Sequence, residues 1–138
     1  IVGVRELPLA RDPTVMYDEH VAWIAAGGGG WVLVPLKGTD PNLNEGAGFG
    51  VADRTSDGST IVAGFSWENT SGPGGKQWAV VWRRARGATA FDPPVRLQPL
   101  SKTGDAMASG VNTRGEVVGI AWTGSGSLSV MWRLPAVP

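Results

Sequence analysis

Short apolar runs separated by glycine, proline and asparagine clusters recur along the whole chain. Runs of this length bounded by turn-forming residues are typical of β strands, because helices need longer amphipathic stretches. The pattern predicts an all-β fold of about ten short antiparallel strands. The predicted strands span residues 1–4, 20–25, 31–36, 47–52, 60–68, 76–84, 95–98, 106–112, 116–123 and 128–134. Residues 5–18, which contain Pro8 and Asp12-Pro13, are predicted to be irregular.

The two longest of the central strands are apolar or small on both faces. The strand at 60–67 places Ile61 and Ala63 on one face and Val62 on the other, and the strand at 76–83 shows the same property. A sheet without a polar face is covered on both sides, and glycines let neighbouring sheets approach closely. The sequence therefore predicts stacked sheets.

Similar segments recur along the chain at intervals of about 50 to 60 residues, and Trp23, Trp82 and Trp132 mark them. They divide the chain into a partial repeat at 1–36, a complete repeat at 37–100 and a partial repeat at 101–138. With four strands per unit, the strand order is b-c-d, a-b-c-d, a-b-c. Such units predict the antiparallel, blade-like sheets of a β-propeller or a propeller fragment. The incomplete ends, and a start at Ile1, predict a processed chain or a fragment of something longer. The chain is then either a piece of a larger propeller, with further repeats, or closes by self-association.

Charge and composition narrow the classes of partner. Twelve basic residues balance twelve acidic ones, which argues against a nucleic-acid-binding surface and against an anionic membrane surface. No apolar run reaches the roughly 18 residues that a membrane helix needs, and no signal peptide is visible. The chain has no cysteine, so disulfides and thiolate metal sites are excluded.

One segment resembles a known family. The sequence Gly-Val-Asn-Thr-Arg-Gly-Glu-Val-Val-Gly at 110–119 is followed by Val-Met-Trp-Arg at 130–133. Together they resemble the HAF-type extracellular repeat of bacteria, and the copy at 47–83 departs from it because Ala52 stands where Asn112 stands. The resemblance implies a β-propeller-like fold in an extracellular or cell-envelope protein. It implies no reaction, because the family has no catalytic signature to transfer.

The polar loop at 37–46 offers a candidate metal site. Asp40, Asn42 and Asn44 place oxygen-bearing side chains at alternate positions, which is how a calcium loop surrounds its ion. The complete EF-hand pattern is absent, because Glu45 stands where that loop needs glycine. The same residues also suit Asx turns. Calcium is the only cofactor that the sequence suggests, and the prediction is otherwise of a chain without cofactors.

Tryptophans are the candidate ligand contacts, because flat aromatic rings stack on sugar rings. Four of them recur at corresponding positions or in core-facing registers, which favours packing over binding; these are Trp23, Trp67, Trp82 and Trp132. Trp31 and Trp78 follow glycine-rich loops and are less periodic. We therefore predict that Trp31 and Trp78 are the ligand-binding residues, with a carbohydrate or a protein as the ligand.

Other polar residues suit structural roles. Asp18, Glu19 and His20 are interpreted as a solvated strand entrance rather than as an acid–base or metal site. Asp53 and Asn112 are interpreted as turn-capping residues. Arg83 and Arg133 directly follow two of the recurring tryptophans. Each is predicted to cover the tryptophan ring or to pair with a carboxylate.

Two classes of function remain open. The first is a non-catalytic secreted or cell-envelope module that binds a ligand or a protein. The alternative is a propeller-type hydrolase or lyase acting on glycans, which would need two carboxylates about 5–10 Å apart; Asp40, Glu45 and Asp105 are its candidates. No Ser/His/Asp arrangement, phosphate loop or zinc spacing is present, so the balance favours a protein without catalytic activity.

Overall fold

The computed structural model of the chain describes residues 1–9, 12–25, 28–40, 46–68, 75–101 and 104–135. Ten strands lie within these residues, and they contain no helix, so none that could cross a membrane. The strands are β1 (Val2–Leu9), β2 (Asp12–Ala25), β3 (Trp31–Pro35), β4 (Gly46–Asp53), β5 (Thr60–Glu68), β6 (Lys76–Arg84), β7 (Val95–Arg96), β8 (Ala106–Val111), β9 (Glu116–Thr123) and β10 (Gly126–Arg133).

The strands form three antiparallel sheets in which sequence neighbours pair. The N-terminal sheet has the order β1-β2-β3, the central sheet β4-β5-β6-β7, and the C-terminal sheet β8-β9-β10. The prediction of an all-β fold with about ten short antiparallel strands is confirmed. The numbers of strands in the three sheets also match the predicted order.

The central sheet is covered on both faces, as its apolar pattern predicts. The face that contains Val62, Val80 and Trp82 packs on the N-terminal sheet around Ala22 and Leu36. The opposite face packs on the C-terminal sheet in a cluster that contains Ile61, Ala63, Ala79, Val81, Leu97, Ala106, Ala108, Val117 and Ala121. Because most of these second-cluster side chains are small, the two backbones approach closely; a methyl group on Gly50 would overlap the backbone of Gly110.

Two features of the central sheet occur again at corresponding places in the C-terminal sheet. The β4–β5 pairing shifts register between Gly48 and Gly50, and the β8–β9 pairing shifts between Ala108 and Gly110. The indole Nε1 of Trp82 donates to the carbonyl oxygen of Lys37 at 2.7 Å, and Nε1 of Trp132 donates to that of Gln98 at 2.8 Å. Each bond joins a sheet to the segment that follows the last strand of the sheet before it.

The prediction for residues 5–18 is wrong. Most of this stretch belongs to the β1–β2 hairpin rather than to an irregular segment. The pairing passes from Leu9–Asp12 to Pro8–Met16, so Pro13 falls in a bulge where no hydrogen bond to β1 is required. Proline is tolerated at bulges for this reason.

Candidate functional site: an open groove between two sheets

The two interfaces of the central sheet differ at the end where the β4–β5 turn lies. On the side of the C-terminal sheet, the turn closes the interface. The backbone N–H of Thr55 donates to the carbonyl of Thr113 at 3.0 Å, and Nη2 of the buried Arg54 donates to that of Pro135 at 3.3 Å. On the side of the N-terminal sheet, the corresponding space is an open groove of about 340 Å³.

A row of three polar side chains crosses the groove wall on the central sheet. Asp53, Thr60 and Arg84 lie opposite one another on β4, β5 and β6. The Thr60 hydroxyl donates to Asp53 Oδ1 at 2.7 Å and accepts from Arg84 Nη2 at 3.1 Å. Asp53 Oδ2 accepts no hydrogen bond from the described residues, so one carboxylate oxygen is available to a ligand.

Arg84 is held in place by further contacts. Its Nη1 donates to the carbonyl of Ala88 at 3.0 Å, and its guanidinium carbon lies 5.9 Å from the centre of the Phe91 ring. Its Nε is buried and has no hydrogen-bond acceptor. Nε of Arg54 and Nε of Arg83 are in the same state, so this property does not by itself mark a ligand site.

The rest of the groove is apolar. Val51 and Val62, one pleat inward from the polar row, belong to the central-sheet wall, and Ala22 and Ile24 belong to the N-terminal sheet. Trp31, the first residue of β3, borders the groove and is 57% exposed. An apolar surface with a few convergent polar groups is the usual character of a small-molecule site.

The second predicted ligand residue, Trp78, lies elsewhere. It packs against the same inter-sheet core as Val80, but it does not line the groove. The ring lies against two cations, with Lys76 Nζ 4.0 Å and the Arg96 guanidinium carbon 4.6 Å from its centre. Its Nε1 donates to Glu68, which also pairs with Arg96 at 2.8 Å. These contacts give Trp78 a structural role that is sufficient without a ligand.

Part of the predicted calcium loop lies outside the described residues. Asp40 follows Thr39, whose backbone N–H donates to the hydroxyl of Ser66 at 3.0 Å. Asn42 and Asn44 fall within residues 41–45, which are not described. Among the described side chains, no three carboxylates or imidazoles come together as a metal site. The calcium site therefore stays a prediction.

Of the three acids predicted for a hydrolase, Asp40 and Asp105 lie among the described residues. Asp105 accepts a hydrogen bond from the backbone N–H of Gln77 at 3.0 Å and so connects the start of β8 to β6. Glu45 lies outside the described residues. Of the described carboxylates, Asp53 alone lines the groove.

The acidic stretch before the second strand is part of that strand. Asp18, Glu19 and His20 lie within β2, and the side chain of Glu19 is buried. The interpretation of this stretch as a solvated strand entrance is therefore wrong for Glu19.

Several predicted structural roles are confirmed. Asn112 caps its turn, because its Oδ1 accepts from the backbone N–H groups of Arg114 and Glu116 at 2.9 and 3.0 Å. Arg83 lies 3.4 Å from Asp57, and Arg133 lies 3.8 Å from Glu116.

Both carboxylates that pair with these arginines have lowered pKa values. Hydrogen bonds from the hydroxyl and the backbone N–H of Ser59 lower the pKa of Asp57, and Arg54 and Arg83 add to the effect. The Asn112 amide and Arg114 lower the pKa of Glu116. Each carboxylate is therefore stabilised in its ionised form.

The sequence alone does not predict the polar row. The prediction that Asp53 caps the turn is wrong for the Oδ1 oxygen, which accepts from the Thr60 side chain. The signal that could have found the row is register: the turn at 55–59 places Thr60 opposite Asp53, and the β5–β6 pairing places Arg84 opposite Thr60. Polar residues at consecutive opposed positions then form one surface.

Comparison of the chain with protein-family models, with curated proteins and with solved structures finds no match.

Proposed function

We propose that this chain is a non-catalytic, β-propeller-like repeat module that binds a carbohydrate in the groove between its N-terminal and central sheets. The observation that supports the binding site is the row of Asp53, Thr60 and Arg84 beside an apolar wall, with the exposed Trp31 at the rim. The resemblance of 106–133 to HAF-type repeats supports an extracellular or cell-envelope location.

Recurrent geometry supports the repeat assignment. The register shifts at Gly48–Gly50 and Ala108–Gly110 correspond, and so do the indole hydrogen bonds of Trp82 and Trp132. Independent sheets would have no physical reason to share both features. Each sheet covers the next one, as blades do around a propeller axis.

The chemistry of the groove favours a sugar over other small ligands. A sugar hydroxyl can donate its hydrogen to a carboxylate oxygen and accept from a guanidinium N–H through its own oxygen. Charged groups form the stronger hydrogen bonds of such a pair. The aliphatic wall and Trp31 suit the C–H faces of a sugar ring. The two charges of Asp53 and Arg84 compensate each other, so the groove suits a neutral glycan.

A non-catalytic role agrees with the acids that are present. Glycoside hydrolysis uses two carboxylates about 5–10 Å apart. Among the described residues, only Asp53 supplies a carboxylate to the groove. Its Oδ1 accepts from the Thr60 hydroxyl, which positions the carboxylate to orient a ligand.

A glycan array followed by calorimetry tests the proposal. We expect the chain to retain one class of neutral glycan, both in excess calcium and in excess chelator, because the groove needs no metal. Trp31→Ala and Asp53→Asn should each weaken the binding constant about tenfold, which corresponds to about 1.4 kcal/mol. Silence of the array under both conditions would contradict the proposal.

Trp122→Ala, measured at a low protein concentration, provides the matched control. Trp122 is also an exposed tryptophan near a strand end, but it lies in the C-terminal sheet, away from the groove. Equal losses from Trp31→Ala and Trp122→Ala would show that the aromatic contact is nonspecific. Loss at Trp122 alone would move the site to another sheet.

A further inference from the structure

The outward face of the C-terminal sheet carries a group of apolar side chains that are partly or largely exposed. Strand alternation and pairing place Met107, Val118, Ile120, Trp122 and Met131 on the side turned away from the central sheet. Val118 and Met131 lie opposite each other and are 49% and 55% exposed. Clustered exposed side chains of this type mark interaction surfaces.

The corresponding face of the central sheet shows what such a surface does. Ala63 and Val81 occupy the positions of Val118 and Met131, and they also lie opposite each other. They are 0% and 4% exposed, because the C-terminal sheet covers them. In the central sheet, the face that corresponds to the outward face of the C-terminal sheet therefore forms the contact with the next sheet.

The N-terminal sheet has the complementary face. Trp23 occupies the position of Trp82 and Trp132, whose rings lie on faces that contact the preceding sheet. Both of those indoles donate to a carbonyl across the interface, whereas Trp23 Nε1 has no acceptor among the described residues. Val21 on the same face is already buried, so the accessible part is the end that carries the half-buried Trp23 and the exposed Trp31, which also border the groove.

One chain cannot join these two faces to each other. The N-terminal sheet contacts the central sheet through β4, and the C-terminal sheet contacts it through β4, β5 and β6. The central sheet thus lies between them, and the two outward faces are at opposite ends of the stack. A second copy of the chain carries the missing neighbour for each.

We propose that the outward face of the C-terminal sheet docks the outward face of the N-terminal sheet of a second copy. The contact is head-to-tail, because the two surfaces differ, and such contacts produce closed rings or open chains. A ring closed by two copies would contain three sheets from each copy, or six in total. Closed propellers have four to eight blades. The ring rests on the proposed propeller-like arrangement, whereas the docking rests only on the two faces.

Sedimentation velocity over about 1–500 μM of the complete chain tests the docking. We expect mass to rise with concentration, and Met131→Asp to weaken association at least about tenfold. Leu128→Asp is the matched control, because Leu128 is on the same strand and 56% exposed but points to the other face. A monomer at every concentration, or equal effects of the two variants, would overturn the proposal.

Cross-linking distinguishes the arrangement without charged substitutions. The chain has no cysteine, so Leu33→Cys and Ser129→Cys introduce single thiols on the two outward faces. A bismaleimide reagent that spans about 10 Å, the spacing of packed sheets, should join position 33 to position 129 when the two variants are mixed. Products of Ser129→Cys alone would show two C-terminal sheets face to face, which contradicts the head-to-tail contact.

The outcome is separable from that of the proposed glycan site. Trp23 and Trp31 border the groove and also lie on the docking face of the N-terminal sheet, so glycan affinities are compared at a protein concentration below association. There the Met131→Asp variant should keep the glycan affinity of the unsubstituted chain, because Met131 lies on the C-terminal sheet. Loss of association with intact glycan binding supports both proposals. Association without glycan binding supports the docking alone.

Discussion

Gly64 and Gly119 are positions where the fold requires the absence of a side chain. Each lies where the register of the neighbouring strand shifts, and a methyl group would overlap the carbonyl oxygen of Ala47 or of Met107. Backbone atoms cannot move aside as the end of a flexible side chain can. The glycines of the Val-Ala-Gly and Val-Val-Gly segments are thus explained by steric contact rather than by positive φ.

We expect Gly119→Ala to lower the free energy of unfolding by about 1–3 kcal/mol, the usual cost of overpacking. Gly124→Ala is the control, because a methyl group there meets nothing within 4 Å, and it should change stability by less than about 0.5 kcal/mol. Urea unfolding measures both. Equal midpoints for the two variants would contradict the steric explanation.

Asp57 couples the stability of the β4–β5 turn to pH. Its folded-state pKa lies below the ordinary 3.8, chiefly because the hydroxyl and backbone N–H of Ser59 donate to it. A depressed carboxylate pKa stabilises the fold above the unfolded-state value, and the contribution is lost as pH falls from about 3.8 through the folded-state pKa.

We therefore expect Asp57→Asn to lower the urea midpoint at pH 7 and to have a smaller effect near pH 2.5. Asp92→Asn is the control, since this exposed carboxylate makes no side-chain hydrogen bond or ion pair with the described residues. A gap between wild type and Asp57→Asn that stays constant across this pH range would contradict the assignment.

At the scale of elements, the indole hydrogen bonds join consecutive sheets. Trp82 is fully buried, and its Nε1 satisfies the carbonyl of Lys37, while Trp132 is half-buried and satisfies that of Gln98. We expect this hydrogen bond to contribute more to the free energy of unfolding at Trp82 than at Trp132. The bond of Trp82 is partly buried and that of Trp132 is exposed, so water replaces a lost donor more easily at Trp132.

Trp82→Phe should lower the free energy of unfolding by about 2 kcal/mol or more, because a lost hydrogen bond and a new cavity add. Trp132→Phe should cost about 0.5–1 kcal/mol. Urea unfolding at a low protein concentration measures the difference. Equal costs would show that burial of the tryptophan and of its hydrogen bond does not matter here.

Element boundaries were predictable where alternation was strong and turns were short. β6 and β9 begin and end where the sequence predicts, because glycine and asparagine turns flank apolar runs. β1 and β2 were not predictable from local signals. Pro8 and Pro13 are strand breakers in isolation, and only the register with the partner strand shows that Pro13 falls in a bulge.

At the scale of the whole molecule, the candidate site depends on how sheets stack. Trp31 could be singled out from sequence because it breaks the periodicity of the other tryptophans. Asp53, Thr60 and Arg84 could not, because each looks like an ordinary strand-end residue until pairing aligns the three. Arg54 and Thr55 close the interface on one side of the central sheet, while the interface on the other side is open. The partners of these two residues lie about 60–80 residues further along the chain.

The central claim is that a glycan binds in the groove between the N-terminal and central sheets, and the indole N–H resonances of the seven tryptophans test it directly. In a ¹H–¹⁵N titration with the array-selected glycan, we expect the resonances of Trp31 and Trp23 to shift, together with the Arg84 side chain. Trp132, whose Nε1 bonds to Gln98 in the other interface, should stay fixed. Shifts confined to Trp78 or to the C-terminal sheet, with Trp31 unmoved, would contradict the claim.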